Sequence, residues 1–272
     1  MKIDEKKLEH FYNLGLKYEK TGNFDGAVEA YQQALKIDPN DHGGIAIRLA
    51  SMKRGEIPET APRAYISTLF DQTAELFDYI LVDQLDYDVP FLLRKTFEKI
   101  LPEHQFEKLL DLGCGTGLSG EAFSDNVKEK VGVDLSQKMI EIAHEKGDYN
   151  KLYVGDVVEF VSKNKDIHDL IVATDVLPYI GKLEFFFKDI SYLLSAGGYF
   201  GFSTEKLTFD TESVKTYSIG AYQRYAHNEN YIFEQLSINK LKCVYFDTII
   251  VRKEQGKPVE GQLFIAQKCA ER

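Results

Sequence analysis

Cysteine is scarce in this sequence, and long apolar runs are missing from it. Only Cys114, Cys243 and Cys269 occur in 272 residues, far apart and without a C-x-x-C pair. Neither a disulfide framework nor a cysteine-built metal site can be made from them, and reduced thiols in a cytoplasmic protein are expected. No stretch of 18 apolar residues occurs, and the opening Met-Lys-Ile-Asp-Glu-Lys-Lys is charged from its second residue. No leader or membrane anchor is expected. Positive charge is short as well: 33 Lys and Arg face 43 Asp and Glu, a net charge of −10. Residues 1–58 hold nine of each sign, so the acidic excess lies wholly in residues 59–272. Such a surface repels phosphate backbones and anionic headgroups, and neither nucleic acid nor a membrane is expected as a partner.

What the chain does contain falls into two regions. Residues 5–54 read as helices only. Phe11, Leu14, Gly15 and Tyr18 share one helical face, and Ala27, Tyr31 and Ala34 share another after a break at Thr21-Gly22-Asn23. Asp38-Pro39 closes the second helix, a third runs over about 41–54, and a break follows at 55–62. The ordered set Phe11, Leu14-Gly15, Tyr18, Ala27, Tyr31, Ala34 and Pro39 resembles the tetratricopeptide repeat. One repeat cannot cover its own faces, so this unit is expected to dock on the rest of the chain or to form a homodimer rather than bind peptides.

From Tyr65 to about Leu81 runs a helix rich in Phe and Tyr, expected as a lid, and another follows Pro90. Strand-like runs then alternate with helices at 106–112, 130–133, 152–154, 170–174 and 199–203. That alternation predicts an α/β fold with a parallel sheet covered on both faces. Phe185, Phe186 and Phe187 are read as core of the helix carrying Leu183, Ile190 and Leu193. The runs 243–251 and 261–267 are joined too closely for a parallel crossover, so the last strand is antiparallel.

Chemistry concentrates at Leu109-Leu110-Asp111-Leu112-Gly113-Cys114-Gly115-Thr116-Gly117, a strand that opens into a loop with glycine at every second position. Glycines there allow a tight turn and close approach of a nucleotide-like ligand to a helix start. Gly115 to Gly120 also satisfies G-x-G-x-x-G, so a dinucleotide site and an NAD-dependent oxidoreductase stay open at this point. Asp134 ends the next strand, 21 residues after Gly113, placed to accept hydrogen bonds from a ribose in either reading.

Asp111 with Gly113, Gly115 and Gly117 resembles motif I of the class I S-adenosylmethionine-dependent methyltransferases. Gly155-Asp156-Val157, Thr174-Asp175-Val176-Leu177-Pro178-Tyr179 and Leu194-Ser195-Ala196-Gly197-Gly198-Tyr199 follow in that family's order. Further segments widen the match: Phe70-Asp71, Ala74, Phe77-Asp78, Leu85-Asp86-Tyr87, Pro90, Arg224-Tyr225-Ala226-His227, Arg252-Lys253-Glu254 and Gly256-Lys257-Pro258. Over nearly its whole length the chain resembles a bacterial family of predicted methyltransferases with an N-terminal tetratricopeptide repeat.

That resemblance implies a Rossmann-like, seven-stranded methyltransferase sheet with an antiparallel last strand, preceded by a small all-α unit. The unit is placed at 1–58 and the catalytic domain at 59–272, with a helical lid over 59–105 and the core over 106–272. S-adenosyl-L-methionine is the implied cofactor, and no metal is called for. Asp111, Gly113, Cys114, Gly115, Thr116 and Gly117 would hold its methionine end, and Asp134, Leu135, Ser136 and Met139 its ribose and adenine. Gly155, Asp156 and Val157 would lie on the adenine, with Thr174, Asp175 and Phe77 completing the set. Asp175 and Tyr179 leave the carboxyl end of the fourth strand, the rim where ligands bind. The Asn-Pro-Pro-Tyr of amino-directed enzymes is absent there, which counts against nucleic acid or glutamine as acceptor. His227 is the candidate base, an imidazole able to take a proton near neutrality. The acceptor is expected to be a small molecule, with a protein the second choice. A non-catalytic scaffold that retains the cofactor is the remaining alternative.

Overall fold

Gly15 sets the geometry of the N-terminal unit. The computed structural model describes residues 3–207, 216–220 and 222–270. Helix α1 (Glu5–Lys20), capped by Asp4, and helix α2 (Phe24–Ile37), capped by Asn23, pack as a hairpin. A Cβ at residue 15 would stand 2.4 Å from the Tyr31 ring, so glycine is what lets that buried ring lie against α1. Ala27 and Ala34 flank Tyr31 in the same core. The third helix is shorter than its sequence span: α3 covers Ile45–Ser51. Asp41 and Gly44 turn the chain through left-handed conformations at φ 58° and 66°. The Asp41 carboxylate then accepts the Ile45 and Ala46 amides at 2.6 and 2.9 Å, starting α3 there.

The expected lid helix is broken. Helix α4 (Arg63–Thr73) passes into a 3-10 turn at Ala74–Leu76 and a π turn at Tyr79–Gln84 before α5 (Val89–Ile100). Nothing in the apolar period of residues 65–81 marks that break. It falls where Asp78 is drawn out to Thr116 and Lys146.

The sheet is built from β1 (Phe106–Leu112), β2 (Val127–Asp134), β3 (Lys151–Val154), β4 (His168–Ala173), β5 (Leu194–Lys206), β6 (Tyr217–Ile219), β7 (Tyr225–His227), β8 (Leu241–Glu254) and β9 (Lys257–Lys268). Seven strands run in the order β3-β2-β1-β4-β5-β9-β8, with β9 antiparallel to both neighbours and every other pairing parallel or set by that reversal. The antiparallel terminal pair is therefore as the sequence implied. Two short strands were not foreseen: β7 pairs with Glu205 and Lys206 on the edge of β5 that β4 leaves at Ala173, and β6 pairs with β7. Residues 208–215 and 221, on either side of β6 in the chain, lie outside the described residues.

Central strands read as unbroken apolar runs because both faces are covered. Leu110, Leu112, Ile171 and Ala173 face α8 (Val157–Lys163), α9 (Glu184–Leu193) and α10 (Glu229–Ile238). Leu109, Leu170 and Val172 face α5 and α6 (Leu118–Ala122). Helix α7 (Gln137–Lys146) follows β2. Phe186 and Phe187 are core, but Phe185 is 68% exposed and corrects the reading of that triplet. At 100° per residue it falls off the face that Phe186, Ile190 and Leu193 present to the sheet.

Candidate cofactor and acceptor cleft

At the carboxyl ends of β1, β2 and β4 lies a cleft between the sheet and the lid. Its floor is the glycine loop, where Gly113, Gly115 and Gly117 all take positive φ, 68°, 52° and 101°. An L residue at any of the three would be strained. A Cβ on Gly113 would also meet Val176 Cγ2 at 2.4 Å, whereas one on Gly115 would meet only Phe77, at 3.8 Å, and so faces open cleft. The helix behind the loop, α6, has only five residues. The amides of Gly113 and Cys114 donate to the Val133 carbonyl, that of Gly115 to Asp134 and that of Gly117 to the Cys114 carbonyl, so what the loop offers a ligand is close approach to its backbone rather than a long helix dipole.

Asp134 closes the loop from the side. Its Oδ2 accepts the Gly115 amide at 2.9 Å and its Oδ1 the Ser136 amide at 2.8 Å. Burial nonetheless holds its pKa above the ordinary carboxylate value. The Leu135 amide also reaches this carboxylate, and since Asp134 lines the cleft its remaining acceptor capacity is open to a ligand hydroxyl. Leu135 and Val157 line the cleft next to it. Asp156 lines it too, while capping α8 through the Glu159 amide at 2.9 Å and pairing with Arg63 Nε at 3.1 Å.

Asp111 lies beneath the loop rather than on the cleft wall, fully buried. Its Oδ2 accepts the Tyr149 hydroxyl, which itself accepts the Gly120 amide at 2.9 Å. Its Oδ1 has no well-formed hydrogen bond among the described residues, although Ser119 is close enough to favour the ionised form. Burial dominates and pushes the Asp111 carboxyl up to about 7. A group raised this way keeps its proton in the folded state after the unfolded chain has lost it, so it costs stability progressively as pH rises from about 4 through 7. Asp111→Asn is therefore expected to melt higher than the parent at pH 8 and equally at pH 4, read by thermal scans. No gain at pH 8 would show that the burial cost is met elsewhere. Tyr149 itself carries no motif and could not be picked from the sequence.

Three lid residues reach across the cleft. Asp71 Oδ1 accepts the Ser136 hydroxyl at 2.6 Å, Asp78 takes Thr116 on one oxygen and Lys146 on the other at 2.6 Å, and Arg63 holds Asp156 and Glu159. Asp71 and Asp78 belong to matched segments of the sequence, but their pairing with the loop and with the start of α7 was not legible there.

The far end of the cleft is aromatic and charged. Thr174, Asp175 and Tyr179 line it with Phe70, Phe77, Tyr87 and Pro90. Asp175 adopts φ 58° and its amide donates to Ser203 Oγ at 2.9 Å. Arg224 Nη2 donates to Asp175 Oδ2 at 2.5 Å, stands 2.8 Å from Glu205 and lies over the Tyr179 ring at 4.8 Å. Arg252, 1% exposed, donates to Glu205 at 2.7 Å and pairs with Glu254 at 3.3 Å. Arg224 and Arg252 stand in matched segments, which was the sequence signal for this buried cluster.

His227 does not reach the cleft, which corrects the expectation that it is the base. It is 0% exposed, and its Nε2 lies 2.9 Å from the Ile180 carbonyl and 3.1 Å from that of Gly181. Burial lowers its pKa to about 4. It is neutral when folded, while the unfolded chain takes a proton below about 6.5, so its contribution is present at neutrality and lost as pH falls through that window. We expect His227→Asn to remove about 3 kcal/mol of the stability difference between pH 7 and pH 4, measured by urea unfolding. An unchanged acid profile would contradict this.

Among the other expected residues, Gly113, Cys114, Gly115, Thr116 and Phe77 line the cleft. Gly117, Ser136, Met139 and Gly155 do not: Ser136 is buried, capping α7 through the Met139 amide, and Met139 is buried in α7. No group of three or more His, Cys, Asp or Glu among the described residues is arranged to hold a metal ion, and no described helix is long and apolar enough to cross a membrane.

Known proteins share both parts of the chain. Residues 110–202 match the family described as "Methyltransferase domain", and residues 9–41 match "Tetratricopeptide repeat". Ubiquinone biosynthesis O-methyltransferase of Pelagibacter ubique is 36% identical over 93 residues, 34% of this chain and 39% of that protein. The mouse 18S rRNA (guanine-N(7))-methyltransferase is 42% identical over 57 residues, 21% of this chain and 20% of that protein. The chain thus spans well under half the length of these curated relatives. The N-methyltransferase NodS of Bradyrhizobium japonicum, solved with S-adenosyl-L-homocysteine, shares the fold at TM-score 0.52 and 18% identity, over 66% of this chain and 89% of that one. Strand order, left-handed glycine loop and domain matches agree: behind a tetratricopeptide repeat the chain carries a domain of the class I, S-adenosylmethionine-dependent methyltransferase family.

Proposed function

We propose that this domain transfers a methyl group from S-adenosylmethionine to a small, largely apolar molecule. The observation that carries the acceptor class is the wall of the cleft beyond the loop: Ile66, Phe70, Phe77, Leu81, Tyr87 and Pro90 give it apolar and aromatic surface, with Asp175 as the carboxylate at that end. When bound, the cofactor supplies an electrophilic methyl on a sulfonium. Gly115 leaves room for its methionine end, Asp134 would hold the ribose, and Leu135 and Val157 would pack on the adenine. Asp134 on the cleft wall is an acid that suits a cation.

The chain's own contribution is alignment. Holding two reactants in register is worth about 7–11 kcal/mol. The lid, tied down through Arg63, Asp71 and Asp78, keeps water out and fixes the acceptor side. Asp175, pinned by Arg224, is a fixed hydrogen-bond acceptor for a hydroxyl or amine of the acceptor. No histidine lines the cleft among the described residues, so proton removal by imidazole is not part of this reading.

Methyl-labelled S-adenosylmethionine incubated with the protein and a cell extract, afterwards separated into small-molecule, protein and RNA fractions, tests the acceptor class. Label in an apolar small-molecule fraction is expected. Label in RNA would replace this acceptor by the kind acted on by the mouse relative.

A further inference from the structure

We propose that the tetratricopeptide unit is a working part of the catalytic cleft, setting the position of its lid, and that Tyr65 is the positioning residue through which it acts. The unit is joined to the lid by one buried cluster. Ile47 and Ala50 of α3 pack with Ala61, Tyr65, Ile66, Leu69 and Phe70, together with Tyr179. Ala61, Ile66, Phe70 and Tyr179 line the cleft. The same side chains are therefore cleft wall on one side and seat for α3 on the other, and a shift of α3 cannot leave the wall unmoved in a close-packed interior.

Two adjacent glycines form the joint. A Cβ on Gly43 would stand 2.6 Å from the Tyr12 ring of α1, and a Cβ on Gly44 would stand 2.7 Å from the Tyr65 ring of α4. Tyr12 also donates to the Gly43 carbonyl at 3.1 Å. A short, left-handed turn is thus held between an aromatic ring of the repeat and an aromatic ring of the lid. The segment that follows is tied down independently: the Ala61 amide donates to the Tyr179 carbonyl at 3.0 Å, and Tyr225 to the Pro58 carbonyl at 2.8 Å. Held at 58–61 by Tyr179 and Tyr225 and along one side by Arg63 and Asp71, α4 rests through Tyr65 on Gly44, the contact that joins it to the repeat. From Tyr65, α4 runs on to Phe70 in the wall and Asp71 on Ser136.

Since the lid covers the cofactor side as well, the inference rests on the methyltransferase reading, and two glycine substitutions read beside Tyr65→Ala separate the two. Gly44→Ala pushes on the lid ring and, at φ 66°, also strains its own turn, a strain that Tyr65→Ala does not introduce. Gly15→Ala pushes as hard on Tyr31, at 2.4 Å, but inside the repeat. In the full-length protein, Gly44→Ala is expected to weaken S-adenosylhomocysteine binding about tenfold and Gly15→Ala by no more than about twofold. Hydrogen exchange of the α4 amides without ligand is expected to quicken at least about fivefold in the first variant only. Should Gly44→Ala not fold, Tyr65→Ala takes its place, with Tyr65→Phe restoring parental behaviour because the ring is kept. Equal effects of the two glycine variants, or unchanged affinity and exchange in both Gly44→Ala and Tyr65→Ala, would overturn the proposal. If the parent protein itself bound no S-adenosylhomocysteine, the methyltransferase reading would fall, and the exchange rates alone would decide the coupling.

Discussion

Replacing Asp134 with alanine is expected to weaken S-adenosylhomocysteine binding about a hundredfold, because two hydrogen bonds to a charged acceptor, at roughly 1.5–3 kcal/mol each, are lost together. The side chain has two jobs. Its lone pairs toward the cleft suit a ribose, and its other contacts tie the Gly115 amide of the loop to the Ser136 amide that starts α7. Asp134→Asn separates these jobs, since an amide retains one acceptor oxygen and some of the loop contact. Equilibrium dialysis with labelled product should therefore rank parent, Asn and Ala in that order. Equal affinity in parent and Ala variant would remove Asp134 from the binding site.

A second large effect is expected at Arg252. This guanidinium is 1% exposed and faces Glu205 at 2.7 Å, with Glu254 at 3.3 Å. Removing one member of a buried ion cluster leaves the remaining charges under-paired, a loss of up to about 3–5 kcal/mol. Arg252→Ala should lower the melting temperature by about 10 °C. Arg224, which also contacts Glu205, would then carry that acid alone while holding Asp175, so acceptor-side geometry should suffer with stability. Thermal unfolding of Arg252→Ala within about 2 °C of the parent would show that the cluster contributes little.

What could be read from the sequence follows the range of the interactions. The sheet was legible because strands buried on both faces are largely apolar, as at Leu109–Leu110 and Leu170–Ala173. The loop was legible because three positive-φ positions, at every second residue, demand glycine. Strands β6 and β7 were not, because three residues each carry too little pattern and their pairing depends on where β4 ends. His227 was misjudged for a related reason: a histidine beside an arginine and a tyrosine looks the same in sequence whether its ring faces solvent or two carbonyls. The lid contacts of Asp71 and Asp78 join residues 38 to 68 positions apart, a relation that no local period encodes. That the repeat would either dock on the rest of the chain or pair with a second copy could be argued in advance, because one repeat leaves apolar faces that something must cover. That Ile47 and Ala50 would provide the contact needed the coordinates.

Titration calorimetry of the full-length protein tests the central claim most directly. S-adenosylhomocysteine should bind with one site per chain and be displaced by S-adenosylmethionine, while NAD gives no heat above dilution. Saturable binding of NAD with none of S-adenosylhomocysteine would contradict the account and return the glycine loop to the dinucleotide reading.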